Sequence, residues 1–150
     1  MIRALCLIAA VCGCSGGTDG PPALFPADYA ASYQEVRDCR RSLEHSATVR
    51  ILASPDAFAA YDGRSEAFPV GSIVLKEQYA TDDITCARSI ERYTVMQKVA
   101  AQSSPGTLDW TWQEVDADLV ETPSDVPQCV NCHTVCGKPP MGYDGTCAEP

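Results

Sequence analysis

Positive charge is scarce in this sequence: 11 Lys and Arg stand against 20 Asp and Glu, a formal net charge of −9 at pH 7. That balance argues against a nucleic-acid partner, because binding to a phosphate backbone rests on basic side chains that displace counterions. Long apolar runs are lacking as well. The N-terminal run from Ala4 to Val11 is far shorter than the roughly 20 residues a membrane-spanning helix needs. No internal repeat is visible, which sets aside repeat architectures. Outside one C-terminal cluster there is no second CxxC and no HxxxH, the separated ligand pairs from which most structural zinc sites close a tetrahedron.

What is present suits one small folded domain. The chain has 150 residues, 45% of them hydrophobic, with two Trp, six Tyr and three Phe, enough for a modest core. Met1, Ile2 and Arg3 followed by the short apolar run read as an export signal. Val11 to Ser15 resembles a bacterial lipobox, with cleavage before Cys14 and lipid on its thiol; ordinary signal peptidase cleavage near Gly16 or Gly17 is the alternative. The expected organisation is a lipoprotein signal peptide at 1–13, a flexible tether rich in Gly and Pro at 14–27, and a folded domain at 28–150. The protein is expected in the periplasm or at the cell surface of a bacterium, held to a membrane by its N-terminal lipid.

Export changes the meaning of the nine cysteines, since disulfides persist outside the cytosol. Cys6 and Cys12 leave with the signal and Cys14 takes the lipid. The even set Cys39, Cys86, Cys129, Cys132, Cys136 and Cys147 remains. Along the chain, Asp28 with Tyr29, Tyr33 and Val36 predicts a helix ending near Cys39. Strands are predicted at Ala47–Ala53, Ser72–Ala80, Arg92–Ala100 and Leu108–Val115. Ser54, Pro55 and Asp56 begin a short helix ending near Tyr61. In the last strand Trp110 and Trp112 share a face, suited to covering a core or a flat ligand. Pro123, Ser124 and Asp125 open a C-terminal helix, and the tail after it is expected to be irregular. Strands in the middle with helices at both ends make an α+β domain with an antiparallel sheet and flanking helices.

The chemistry concentrates in "CVNCH". On a helix Cys129, Cys132 and His133 fall at i, i+3 and i+4, so all three project from one face. That is the requirement for haem attachment: two thiols add to the porphyrin vinyl groups and the imidazole reaches the iron. Two rivals use the same residues. Cys136 extends the cluster toward zinc, and a disulfide framework could pair Cys129 or Cys132 with Cys39 or Cys86. If haem takes Cys129 and Cys132, the other four pair naturally as Cys39 with Cys86 and Cys136 with Cys147.

With "VRILASPDAFAAY", "GSIVLKEQY", "YTVMQK" and "CVNCH", the sequence resembles the cytochrome P-460 family, which includes the cytochrome c-prime-beta proteins. The resemblance covers roughly residues 28–136. It implies one covalent haem c per chain, held by Cys129, Cys132 and the axial ligand His133, with a distal side open to nitric oxide or hydroxylamine. In the family's enzymes a lysine in the segment matching "VLKE" bonds to the haem macrocycle; here it is Lys76. A distal carboxylate lies on the strand matching "YTVMQK", and the best register places Gln97 there, a residue that orients a ligand but cannot take its proton. The tail "MGYDGTCAEP" also departs from the aromatic segment expected after the haem motif.

Met96, Met141 and His45 are the candidates for a sixth iron ligand. Met96 reads as core, Met141 as tail and His45 as surface, which favours a five-coordinate iron. Three functions follow as expectations. The first is an exported cytochrome binding small nitrogen ligands, with hydroxylamine oxidation as its enzymatic form. The second is an electron-transfer c-type cytochrome. The third is a haem-free, disulfide-stapled surface lipoprotein. A redox partner protein and a homodimer are admitted by the first two.

Overall fold

The computed structural model describes residues 20–150; the signal peptide and Cys14 lie outside the described residues. Six strands run antiparallel in one sheet whose spatial order follows the chain: β1 (Gln34–Ser42), β2 (Ala47–Ala53), β3 (Ile73–Tyr79), β4 (Arg92–Lys98), β5 (Trp110–Asp116) and β6 (Glu121–Thr122). Helix α1 (Pro55–Gly63) follows β2, and α2 (Val126–Cys136) follows β6. The domain is α+β, with an antiparallel sheet and flanking helices. No helix among the described residues is long and apolar enough to cross a membrane.

Both faces of the central strands are covered, so β2 and β3 are buried along almost their whole length even though β3 carries Lys76, Glu77 and Gln78. On the front face Ile51, Ala53, Val74, Met96 and Trp110 pack against Ala57, Ala60 and Tyr61 of α1. On the back face Leu52, Leu75, Tyr93, Val95 and Val115 pack against Phe25 and Tyr29. The Val, Leu, Ile, Phe and Met side chains among these contribute about 1.5–3 kcal/mol each when fully buried. Lys76 and Glu77 are neighbours in β3 and therefore point to opposite faces. Glu77 is buried at the back, where Tyr29 and Tyr79 donate to it at 2.7 and 2.6 Å and the Arg50 guanidinium pairs with it at 2.6 Å. A buried carboxylate with this many donors is satisfied, whereas one left alone would cost several kcal/mol.

Four predicted strands and both later helices appear near their expected places. Ser54 precedes Pro55 at the start of α1 but does not cap it; its Oγ accepts from the Ile73 N–H at 2.9 Å and pins the helix to β3. The helix expected after Asp28 is absent. In its place a 3-10 turn (Tyr29–Ala31) leads into β1. The apparent helical spacing joins two environments: Tyr29 and Tyr33 stack edge to face in the back-face cluster, while Val36 packs with the front core.

The tether is shorter at its folded end than expected. Phe25 is buried, the Leu24 N–H donates to Gln113 Oε1 at 2.8 Å, and Gln113 Nε2 donates to the Pro22 carbonyl at 3.0 Å. The back face thus takes up residues 22–25 as packing. The tail is irregular but well tied. Trp110 Nε1 donates to the Asp144 carbonyl at 2.9 Å, Lys98 pairs with the Asp144 carboxylate at 2.8 Å, and the Tyr61 hydroxyl donates to the Ala148 carbonyl at 3.1 Å.

Candidate functional site

Helix α2 starts where the Asp125 side chain accepts from the Gln128 N–H at 3.1 Å, with Pro127 in the first turn. It buries none of its own residues. Its inner face borders a cavity of about 550 Å³ whose other walls come from the front of the sheet and from β1. Cys129, Cys132 and His133 line that cavity together, as their helical spacing requires.

His133 is held in one tautomer. Its Nδ1–H donates to the Gly145 carbonyl at 2.5 Å, and its ring meets the Trp112 indole edge to face at 4.8 Å. Burial, with Lys76 nearby, pushes the imidazole down to about 4 despite the Gly145 carbonyl, so it is neutral at pH 7. With the proton on Nδ1, the Nε2 lone pair is left for a metal, an arrangement typical of metal-binding histidines. Gly145 supplies its carbonyl from a left-handed conformation (φ +85), where a Cβ would also press on Trp110 Nε1 at 3.0 Å.

The thiols divide into two classes. Cys39–Cys86 and Cys136–Cys147 are disulfides, while Cys129 and Cys132 are free. Zinc loses its extra ligand because Cys136 is engaged with Cys147. The framework in which Cys129 or Cys132 pairs with Cys39 or Cys86 is not formed, since those two partners bridge each other.

Lys76 stands on the cavity floor, in the cross-strand row Ile51, Lys76, Thr94, Glu114. Its Nζ donates to His45 Nε2 at 2.6 Å. Burial, helped by the Arg37 charge, pushes the amine down to about 8. His45 is likewise pushed down, to about 3, by burial and by Lys76, which makes it the neutral acceptor of that bond.

Not every predicted site residue joins this cavity. Gln97 does not line it: it pairs with Ile73 and Thr111, one residue out of phase with the Val74, Met96 and Trp112 row, and so belongs to the back face. Among the strand residues that line the cavity the carboxylate is Glu114, paired with Arg92 at 3.1 Å. His45, expected at the surface, is half-buried and lines the cavity, as does the buried Met96. Met141 is exposed. Glu114 was within reach of sequence reasoning, since it continues the alternation of Trp110 and Trp112. His45 was a candidate sixth ligand read as surface, and nothing local in the sequence shows that it lines the cavity.

The sequence model of the Cytochrome P460 family matches residues 26–139. The chain belongs to the cytochrome P460 family. No curated protein matches it. As a member of a cytochrome family it has a haem cofactor, and cytochrome P460 proteins are generally exported. The residues fit that cofactor: a neutral imidazole with its Nε2 open, two reduced thiols on the same helix face, and a mainly apolar floor of Ile51, Val74 and Met96 all border one cavity. Among the described residues no group of three or more His, Cys, Asp or Glu side chains is arranged to hold a metal ion by itself.

Proposed function

We propose that this cytochrome P460 protein is an exported, lipid-anchored c-type cytochrome that binds nitric oxide or hydroxylamine at a haem iron. The haem supplies ligand binding and electron exchange at its iron when bound. Cys129 and Cys132 are the thioether donors and His133 the axial ligand. The observation that carries the reading is the His133 tautomer: a backbone carbonyl holds the Nδ1 proton while two unoxidised thiols flank the ring on the same helix.

The other residues shape access. Trp112 braces the His133 ring, and Glu114 and Arg92 form a charged pair at the cavity wall. Lys76 holds an amine inside the cavity whose pKa lies within reach of neutrality, the property a lysine needs before its nitrogen can bond to carbon. This supports Lys76 as the haem cross-link of the family's enzymes, and with it the oxidation of hydroxylamine, for which a redox partner protein would take the electrons. Cys14 is the proposed lipid site, and a homodimer is compatible with this role.

Expression with the cytochrome c maturation machinery followed by haem-stained denaturing electrophoresis tests the attachment. Wild-type protein stains, and Cys129→Ala with Cys132→Ala does not; a colourless wild type would leave the haem-free surface lipoprotein. Titration of the ferrous protein with nitric oxide then reads ligand binding, and hydroxylamine turnover with an artificial acceptor reads the enzyme. One observation favours a second reading. His45 shares the cavity with His133, and if its ring occupied the sixth position the protein would be an electron-transfer cytochrome. A low-spin ferric spectrum that becomes high-spin in His45→Ala would decide for it.

A further inference from the structure

The described arginines fall into two groups. Arg50, Arg88 and Arg92 each have a carboxylate within ion-pair distance. Arg37, Arg40, Arg41 and Arg64 have none among the described residues. In a chain of net charge −9, carboxylates are plentiful, so four unpaired guanidinium groups call for a physical reason. Three of them, Arg37, Arg40 and Arg41, line the cavity that holds His133.

Two of the four are also short of hydrogen-bond partners. The Nε atoms of Arg37 and Arg64 are buried and unpartnered among the described residues, although Arg64 does donate through its terminal nitrogen to the Ala148 carbonyl. A buried donor with no acceptor typically costs about 1–3 kcal/mol, more when it is charged. Burial first, and then the Arg40 charge, disfavours the Arg37 cation; Tyr61 and Glu149 offset this in smaller measure, and Arg64 adds the smallest effect against it. Glu44, Glu114 and Asp125 share the cavity wall, but none reaches these arginines, and Glu114 is taken by Arg92.

The backbone aims this cluster inward. In a regular strand, residues 37 and 40 would face opposite sides. Here β1 places Arg37 opposite Ile51 and Arg40 opposite Val49, three residues advancing against two, so one extra residue is absorbed between them. That bulge brings both arginines to the front face with Val49 and Ile51, the re-aiming that bulges beside functional sites perform.

We propose that Arg37 and Arg40 form an anion cradle on the β1 wall that receives the two propionate carboxylates of the haem, Arg41 being opposite Thr48 and so turned to the other face. The assignment rests on the haem reading above. Planar guanidinium groups match carboxylates in paired hydrogen bonds. The placement fits the ring's own chemistry. α2 rests on β5 through His133 and Trp112, and β1 lies four ladder steps away, roughly 19 Å at the usual strand spacing. A porphyrin tethered by its vinyl groups at Cys129 and Cys132 turns its propionate side away from α2, toward that wall.

The test uses haem-loaded protein, with haem content scored first by haem stain and folding by circular dichroism. Midpoint potentials are measured for wild type, Arg37→Leu, Arg37→Lys, Arg40→Leu and Arg88→Leu. Loss of a cation beside the carboxylates lets their charge favour ferric iron, so Arg37→Leu and Arg40→Leu shift the potential downward, Arg37→Lys recovers most of the shift, and Arg88→Leu matches wild type. If Arg37→Leu does not take up haem, the exposed Arg40 still supplies the measurement. Equal potentials in wild type and both leucine variants would overturn the assignment. So would a melting temperature of the haem-loaded wild type that rises saturably with inorganic phosphate at constant ionic strength and does not do so in Arg40→Leu, because the cradle would then serve a free anion. A colourless wild type would sink the haem reading itself, and the cradle with it.

Discussion

His45 and His133 are the two histidines of the chain, and both are kept neutral inside one cavity, for different purposes. His133 gives its Nδ1 proton to Gly145, whereas His45 offers Nε2 to the Lys76 amine. The His45 arrangement has a pH signature. Its folded pKa, about 3, lies below the ordinary 6.5, so the unfolded chain binds more protons here and stability falls with pH below about 6.5. The contribution is fully present above 6.5 and is lost progressively toward pH 3. In haem-loaded protein, wild type should lose about 2 kcal/mol more than His45→Gln between pH 7 and pH 4.5, after allowance for the half-exposed ring. Urea unfolding at the two pH values reads this, glutamine keeping an acceptor for Lys76. Parallel losses in the two proteins would mean that the folded imidazole carries its proton.

Among the elements, β1 departs most from its sequence pattern. It is an edge strand with two register shifts, and its charged residues disguise it. A bulged edge resists pairing with other chains, and here it also carries the arginine wall. Its bulged segment is fastened by Cys39–Cys86, which joins β1 to the loop between β3 and β4 across a separation of 47 residues. A loop of that length gives about 4 kcal/mol in the chain-entropy account. Cys39→Ser with Cys86→Ser should therefore lower unfolding free energy by about that amount, and hydrogen exchange should rise first in residues 34–42. An unchanged urea midpoint would show that the sheet ladder alone holds the bulge. α2 presents the opposite case, since local rules suffice for it. Asp125 caps it, Pro127 opens it, and the CxxCH spacing places the three reactive groups on one face whatever the helix packs against.

At the level of the whole molecule, one sheet is shared by two cores. Trp110 and Trp112 report on the front face, and Tyr29, Tyr79 and Tyr93 on the back, around Glu77. Because every central strand contributes to both faces, neither core can come apart without the ladders that support the other. Tryptophan fluorescence and far-ultraviolet circular dichroism should therefore give superimposable urea transitions. Separated midpoints would show that the front core, with α1 and the tail, unfolds on its own. The pairing of Lys76 and Glu77 in β3 expresses the same division: adjacent in the chain, one serves the cavity and the other the back core.

Local spacing was enough to read the CxxCH face, the strand from Ala47 to Ala53, the helix opened by Pro55, and the division of the thiols once Cys129 and Cys132 are reserved. Those features depend on helical or alternating periodicity within a few residues, which a sequence states directly. Tertiary structure alone decided the rest. Gln97, expected in the haem pocket, faces the back while Glu114 lines the cavity, because a one-residue difference in register sends a side chain through the sheet. Arg37 and Arg40 share a wall because a bulge cancels their odd spacing, and His45 meets Lys76 because a turn folds over a strand 31 residues away. Such meetings depend on which strands pair and in what register, and those are set by the burial of both cores at once.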